Sequence, residues 1–249
     1  MLLNKLIKQV CLTFALIAGV STSAHAILPI EKLESFKGAQ AYLVQTKSLP
    51  MVDIEISIDA GDRYDPSAKS GLATVAGQLM NYGAKSEKGL LNEAQIADLG
   101  ANLGVSVSGE RAIMRIRTLS RKDLRDRAVQ LVSAMLSAPT YDAKILAREK
   151  QRMTTALLES ETKPESVLDR RFRKLVYGDY PLANSPTVQS IANINAADLQ
   201  QFHKQLYRGD RMIVSIVGDV SKVEAAEIVQ GLLQRVPQSG PYYCQAARV

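Results

Sequence analysis

The 249-residue chain has no tryptophan, two histidines and two cysteines. So few cysteines exclude a disulfide framework and a cysteine-rich zinc site. So few histidines exclude a hydrolytic zinc centre built on several imidazoles, because such a centre draws three or four ligands from His, Cys and carboxylates. A G-x-S-x-G nucleophile elbow is absent, and so is a glycine-rich phosphate loop. No apolar run reaches the roughly 20 residues that a membrane-spanning helix requires. The net charge of +6 is spread along the chain, which is not a nucleic-acid footprint. What remains, 46% hydrophobic and 22% charged, is globular composition.

The first residues read as an address. Met1–Gln9 carries Lys5 and Lys8 and no acid, Val10–Val20 is apolar, and Ser21–Ala26 ends in Ala24-His25-Ala26. These are the three parts of a secretory signal peptide, so residues 1–26 are expected to be removed. Cleavage after Ala26 would leave His203 and Cys244 as the only His and Cys of Ile27–Val249. The expected product is exported, with the periplasm as its compartment and no attachment to the membrane after cleavage.

Within Ile27–Val249, Tyr42–Thr46 and Val52–Ile58 read as strands, joined as a hairpin through Ser48-Leu49-Pro50. Val52, Ile54, Ile56 and Ile58 alternate with Asp53, Glu55 and Ser57, the pattern of a half-solvated strand. Ser70 is the expected N-cap of a helix over Gly71–Tyr82, and Asn92 that of a helix over Glu93–Leu103. Val105–Ser108 and Ala112–Thr118 read as a hairpin. Helices are predicted over Asp123–Ser137, Asp142–Glu161, Pro164–Tyr177, Ala196–Leu206 and Val223–Arg235, with a strand over Arg211–Val217. Hairpins beside runs of helices predict an α+β fold, an antiparallel sheet with helices packed on one face. The expected organisation is one domain over residues 27–237 and an irregular tail over 238–249.

Most candidate chemistry has an ordinary reading. His203, among Gln200, Gln201, Lys204 and Gln205, is expected to be a solvated surface histidine. Cys244 reads as incidental, and Glu159 and Glu161 as a solvated helix end. Arg170, Arg171, Arg173 and Lys174 form a basic cluster, expected on a solvated face with Phe172, Leu175 and Val176 turned inward.

Several segments in register resemble the insulinase-like M16 peptidases, a family that includes mitochondrial processing peptidase subunits and pitrilysin-type proteins. Ile58-Asp59-Ala60-Gly61-Asp62-Arg63-Tyr64-Asp65 resembles the family's AGSRYE signature, and Gly71-Leu72-Ala73 its GLA. Leu79-Met80-Asn81-Tyr82-Gly83-Ala84 resembles the end of the helix that follows. Tyr177-Gly178-Asp179-Tyr180-Pro181-Leu182 resembles YGDHPL, and Val217-Gly218-Asp219-Val220 resembles VAGDVD. The similarity runs from about Ala41 to Pro237.

In active members the helix after GLA carries H-x-x-E-H, two zinc-binding histidines one turn apart with a glutamate that activates water. The resemblance puts Thr74 and Gln78 at the histidine positions and Gly77 at the glutamate. Counting back from Pro164 puts Ala156 at the later glutamate ligand. The implied protein is a non-catalytic homologue with a degenerate site and no cofactor of its own, zinc belonging to an active partner. The resemblance further implies peptide binding at a sheet edge and pairing with an H-x-x-E-H-bearing M16 subunit. Alternatives are a truncated interaction module without a protease partner, or a zinc metalloendopeptidase as the family label would have it. Family chains usually carry two or more such domains, so the short length reads as a truncation.

Overall fold

The computed structural model describes residues 28–86, 89–91, 95 and 98–240. Residues 1–26, expected to be a signal peptide, lie outside them, as do Cys244 and most of the expected tail. The strands are β1 (Glu31–Lys32), β2 (Gln40–Gln45), β3 (Met51–Ile58), β4 (Ala84–Ser86), β5 (Gly89–Leu91), β6 (Asn102–Val107), β7 (Ala112–Leu119) and β8 (Met212–Gly218). The helices are α1 (Leu72–Met80), α2 (Lys122–Ser137), α3 (Ala143–Glu161), α4 (Pro164–Tyr177), α5 (Val188–Asn193), α6 (Ala196–Leu206) and α7 (Lys222–Leu233).

Six strands form one sheet in the order β1-β2-β8-β3-β7-β6, and β4 and β5 pair separately. The sheet is antiparallel apart from the β2–β8 pair, which is parallel. The predicted hairpin of the first two long strands does not form, because β8 lies between them. Thr46–Pro50 therefore bridges two strand spacings, about 10 Å, which five residues span easily. The splice is hydrogen-bonded at its end: Thr46 N–H donates to the Gly218 carbonyl at 3.0 Å and Asp219 N–H to the Met51 carbonyl at 3.0 Å. Gly218 has φ +148°, and a Cβ there would stand 2.2 Å from the Met51 carbonyl oxygen. Only glycine permits this close approach.

The period-2 pattern of β3 is realised in full. Val52, Ile54, Ile56 and Ile58 are buried, and the alternate residues are half-buried on the other face. Helices cover the apolar face, where α1, α2, α6 and α7 add Leu79, Val132, Leu199 and Leu232 to the same core. Each such side chain contributes about 1.5–3 kcal/mol on burial. The open face is laced by cross-strand ion pairs, Asp53 with Arg117 at 2.6 Å and Glu55 with Arg115 at 2.9 Å. The β6–β7 hairpin forms as predicted. Of the predicted helix over Glu93–Leu103, Asn102 and Leu103 are instead the start of β6, where Leu103 pairs with Ile116. Asn92, Glu93, Ala94, Ile96 and Ala97 lie outside the described residues. Cross-strand pairing, invisible to local propensity, decides the matter at the Leu103 end.

Candidate functional site

The loop between β3 and α1 sets up the region to which Thr74, Gly77 and Gln78 belong. Asp65, only 2% exposed, accepts from Gly71 N–H at 2.7 Å and from Ala73 N–H at 2.8 Å. This carboxylate caps α1 in place of Ser70, whose hydroxyl donates to the Ser67 carbonyl at 3.2 Å. The difference arises because the helix starts at Leu72 with Gly71 as its N-cap residue, leaving Ser70 outside the first turn. Burial raises the Asp65 pKa to about 7, with the Ala73 hydrogen bond pulling down and the charge of Asp62 pushing up.

Thr74, Gly77 and Gln78 lie on α1, with Thr74 and Gln78 one turn apart. Thr74 Oγ1 donates to Asp62 Oδ1 at 3.1 Å. Burial raises the Asp62 pKa, and the Thr74 bond and the Arg173 charge oppose that rise. Gly77 faces β6: a Cβ there would meet Val107 Cγ2 at 2.6 Å and Val105 Cγ1 at 3.3 Å. Gln78 Oε1 is buried without a hydrogen-bond partner among the described residues. Ala156 is exposed on α3, which packs against α1.

Zinc does not fit this donor set. Threonine, glycine and alanine supply no strong ligand, and one neutral amide oxygen holds no zinc, which takes imidazole, thiolate or carboxylate. Among the described residues no group of three His, Cys, Asp or Glu side chains is placed to hold a metal ion.

One buried acid escaped the sequence reading. Glu149 on α3 is 1% exposed. Tyr82 Oη, just past the end of α1, donates to its Oε1 at 3.0 Å, and Arg152 Nε donates to its Oε2 at 2.8 Å. Arg148 stacks over the Tyr82 ring at 4.9 Å. The signal was available: Leu146, Glu149 and Met153 follow helical spacing, and an acid on an apolar stripe needs a partner.

Two expectations are reversed. His203 is not a solvated surface residue: its Nε2 lies 2.9 Å from the Leu136 carbonyl, and its ring stacks on Tyr207 at 4.7 Å. Burial lowers its pKa to about 4. The polar neighbours in sequence were misleading, because the contact is to α2, distant in the chain. Phe172, Leu175 and Val176 are not turned inward either. They are 61%, 83% and 56% exposed, since α4 rests on the body through its Ser166, Val167 and Arg170 side. The carboxylates of Glu159 and Glu161 are on exposed residues, as expected.

Residues 41–188 match the family model for Insulinase (Peptidase family M16), and residues 193–248 match that of the Peptidase M16 inactive domain. The chain belongs to the M16 peptidase family. The two M16 matches meet near the end of α5, yet β8 of the second is inserted between β2 and β3 of the first, so both contribute to one sheet. The chain is 26% identical over 197 residues to a non-peptidase homolog, YmxG, of Helicobacter pylori, covering 78% of this chain and 45% of that protein. It is 25% identical to the mitochondrial-processing peptidase subunit beta of Saccharomyces cerevisiae, covering 81% of this chain and 43% of that one. Among solved structures, the peptidase M16 inactive domain from Pseudomonas fluorescens superposes with a TM-score of 0.80 at 27% identity, over 88% of this chain and 53% of that one. The chain spans less than half the length of these curated relatives. Together the matches to an inactive domain and to a non-peptidase homolog support a non-catalytic M16 homologue.

Proposed function

We propose that this M16 homologue is an exported chain whose α1 carries a degenerate metal site at Thr74, Gly77 and Gln78, with Ala156 on α3. It holds an extended peptide without cutting it and works beside an active, zinc-bearing M16 chain. Residues 27–237 form the working unit, and residues 1–26 direct it to the periplasm. The observation that carries the reading is the edge of the sheet. Among the described residues β6 pairs only with β7, and it runs beside α1, with Val105 and Val107 against Gly77. Ser108 N–H donates to the Arg111 carbonyl at 2.9 Å. By antiparallel alternation, Ser106, Gly104 and Asn102 therefore bond to β7, and the N–H and C=O groups of Leu103, Val105 and Val107 face outward. Such a row is a template for an added strand.

The absence of a chemical donor set on α1 supports holding over cleavage. Relatives described as subunits, such as mitochondrial-processing peptidase subunit beta, support an assembly, and neighbours such as the periplasmic protease PqqL of Escherichia coli support the compartment. The test is affinity purification of the full chain from its native exported fraction. An H-x-x-E-H-bearing M16 protein at near-equal amount is the expected result. A chain recovered alone, or recovered from the cytoplasm, overturns partnership or export respectively. For the edge, Val105→Pro removes one outward donor, and peptide affinity measured by fluorescence anisotropy is expected to fall about tenfold. Unchanged affinity in a folded variant rules the edge out.

A further inference from the structure

Three strand ends bring charged side chains together on the open face of the sheet. Asp59 follows β3, Arg111 precedes β7 and Arg211 precedes β8. Each lies one step beyond the registered pairs Ile58↔Ala112 and Ile58↔Met212, so Asp59 falls between the two arginines. Ile58, Ala112 and Met212 are buried in the core, and by alternation the residues beside them face the open side. Asp59 N–H donates to the Arg211 carbonyl at 3.0 Å, which fixes the arrangement. Arg208 and Asp210, in the turn before β8, and Gly38, before β2, help to close a cavity of about 270 Å³ lined also by Asp59, Arg111 and Arg211.

The acids present do not balance the cations. Asp59 is fully engaged: Arg63 Nη2 donates to its Oδ1 at 2.6 Å, Arg211 Nη2 to its Oδ2 at 2.8 Å and Tyr64 Oη to its Oδ2 at 2.9 Å. Asp210 pairs with Arg208 at 3.3 Å. Arg111 has no ion pair among the described residues, and its Nη1 donates to the Ser57 hydroxyl at 3.3 Å. Glu110, adjacent in the chain, is exposed and forms no ion pair with it. The four guanidiniums of Arg63, Arg111, Arg208 and Arg211 thus stand against two carboxylates, an excess of two positive charges. The Arg208 and Arg211 side chains are 2% and 9% exposed, so solvent screens them little.

The cations are also held in place before a ligand arrives. Arg211 donates Nε and Nη2 to the Asp59 carbonyl at 3.0 and 2.8 Å. Arg63 and Arg211 both lie on the Tyr64 ring, each Cζ 4.8 Å from its centroid. Arg211 Nη1 and Arg111 Nε and Nη2 hold no hydrogen bond among the described residues. Guanidinium forks of this kind match oxyanions bidentately. A phosphate group near neutral pH carries close to the two negative charges that the cluster lacks.

We propose that this arginine cavity binds a phosphate group, as the free ion or as a monoester. The test titrates the full chain at pH 8 and constant ionic strength with inorganic phosphate, phenyl phosphate and acetate, read by thermal melting and calorimetry. Inorganic phosphate or phenyl phosphate is expected to raise the melting temperature by mass action and to bind about tenfold tighter than acetate, or more. The tighter of the two names the source, and equal affinity assigns recognition to the phosphate group alone. Arg111→Gln is expected to weaken binding about tenfold. Arg111→Lys, which keeps the charge but not the fork, should weaken it less. Arg171→Gln, on the exposed surface of α4, should leave it unchanged.

A melting temperature no higher in either phosphate compound than in chloride overturns the site, and so does acetate binding as tightly. Equal binding by Arg111→Gln overturns it as well. Equal weakening by Arg171→Gln shows general attraction to a basic surface and overturns it too. If Arg111→Gln fails to fold, Arg111→Lys and the wild-type contrast between phosphate and acetate decide.

Discussion

Val107 occupies the volume that a side chain at position 77 would fill, its Cγ2 standing 2.6 Å from a Cβ on Gly77. The helix packs directly on the edge strand at this position, leaving no room for a side chain. Valine is stiff at χ1 and cannot swing aside cheaply. Gly77→Glu is therefore expected to destabilise the fold by about 3 kcal/mol or more, through overpacking and an unpaired buried charge. Adding Val107→Ala should recover part of the loss. Denaturant unfolding of the two single variants and the double checks it, and strict additivity would show that the contact does not matter. Combining Thr74→His, Gly77→Glu, Gln78→His and Ala156→Glu in one chain is expected to yield a poorly folded protein before it yields a peptidase.

The Tyr82–Glu149 bond ties the end of α1 to α3 at 3.0 Å. Glu149→Leu is expected to cost about 1–3 kcal/mol, because it leaves the half-buried Tyr82 hydroxyl without its acceptor. Tyr82→Phe should cost less, and the pair should be coupled in a double-mutant cycle. Thermal melts of the four proteins read the coupling, and a value near zero would contradict the bond.

His203 links stability to acid. Its folded pKa is lowered from 6.5 to about 4, so the unfolded chain takes up the proton first. Its contribution is full above pH 6.5 and is lost as pH falls toward 4, with a slope of up to about 1.4 kcal/mol per pH unit. His203→Gln is expected to flatten that slope in denaturant midpoints measured across the interval. An unchanged slope would place the titration elsewhere.

Asp65 works in the opposite direction. Its folded pKa is raised from 3.8 to about 7, so the folded chain holds the proton longer. Its contribution is full below pH 3.8 and is lost as pH rises through 7. Asp65→Asn is expected to remove this dependence while losing one cap acceptor to α1, at a cost of about 1 kcal/mol. Comparing wild type and variant at pH 5 and pH 8 separates the effects, since the gap between them should narrow at the higher pH.

Much of the architecture was legible locally. The alternation of Val52–Ile58, Pro164 at the start of α4 and the Ala196–Leu206 periodicity each specify an element through period and capping, and each appears with nearly the predicted bounds. Composition also gives a bare count, two histidines in the whole chain, too few to supply H-x-x-E-H within Ile27–Val249. Pairing was not legible: β8 enters between β2 and β3 from more than 150 residues away, and no local pattern encodes that.

The same division holds at the site. The sequence by itself determined that Thr74, Gly77, Gln78 and Ala156 offer no imidazole, thiolate or carboxylate, since side-chain type settles what an atom can donate. Only the tertiary structure decided that Val105 and Val107 close over Gly77, that Glu149 finds Tyr82, that the half-buried His203 meets the Leu136 carbonyl, and that α4 turns its apolar stripe outward. These depend on which surfaces of distant elements meet, and burial belongs to the assembled layers. Helical period shows that a stripe exists, and packing alone chooses whether it faces the core or the solvent.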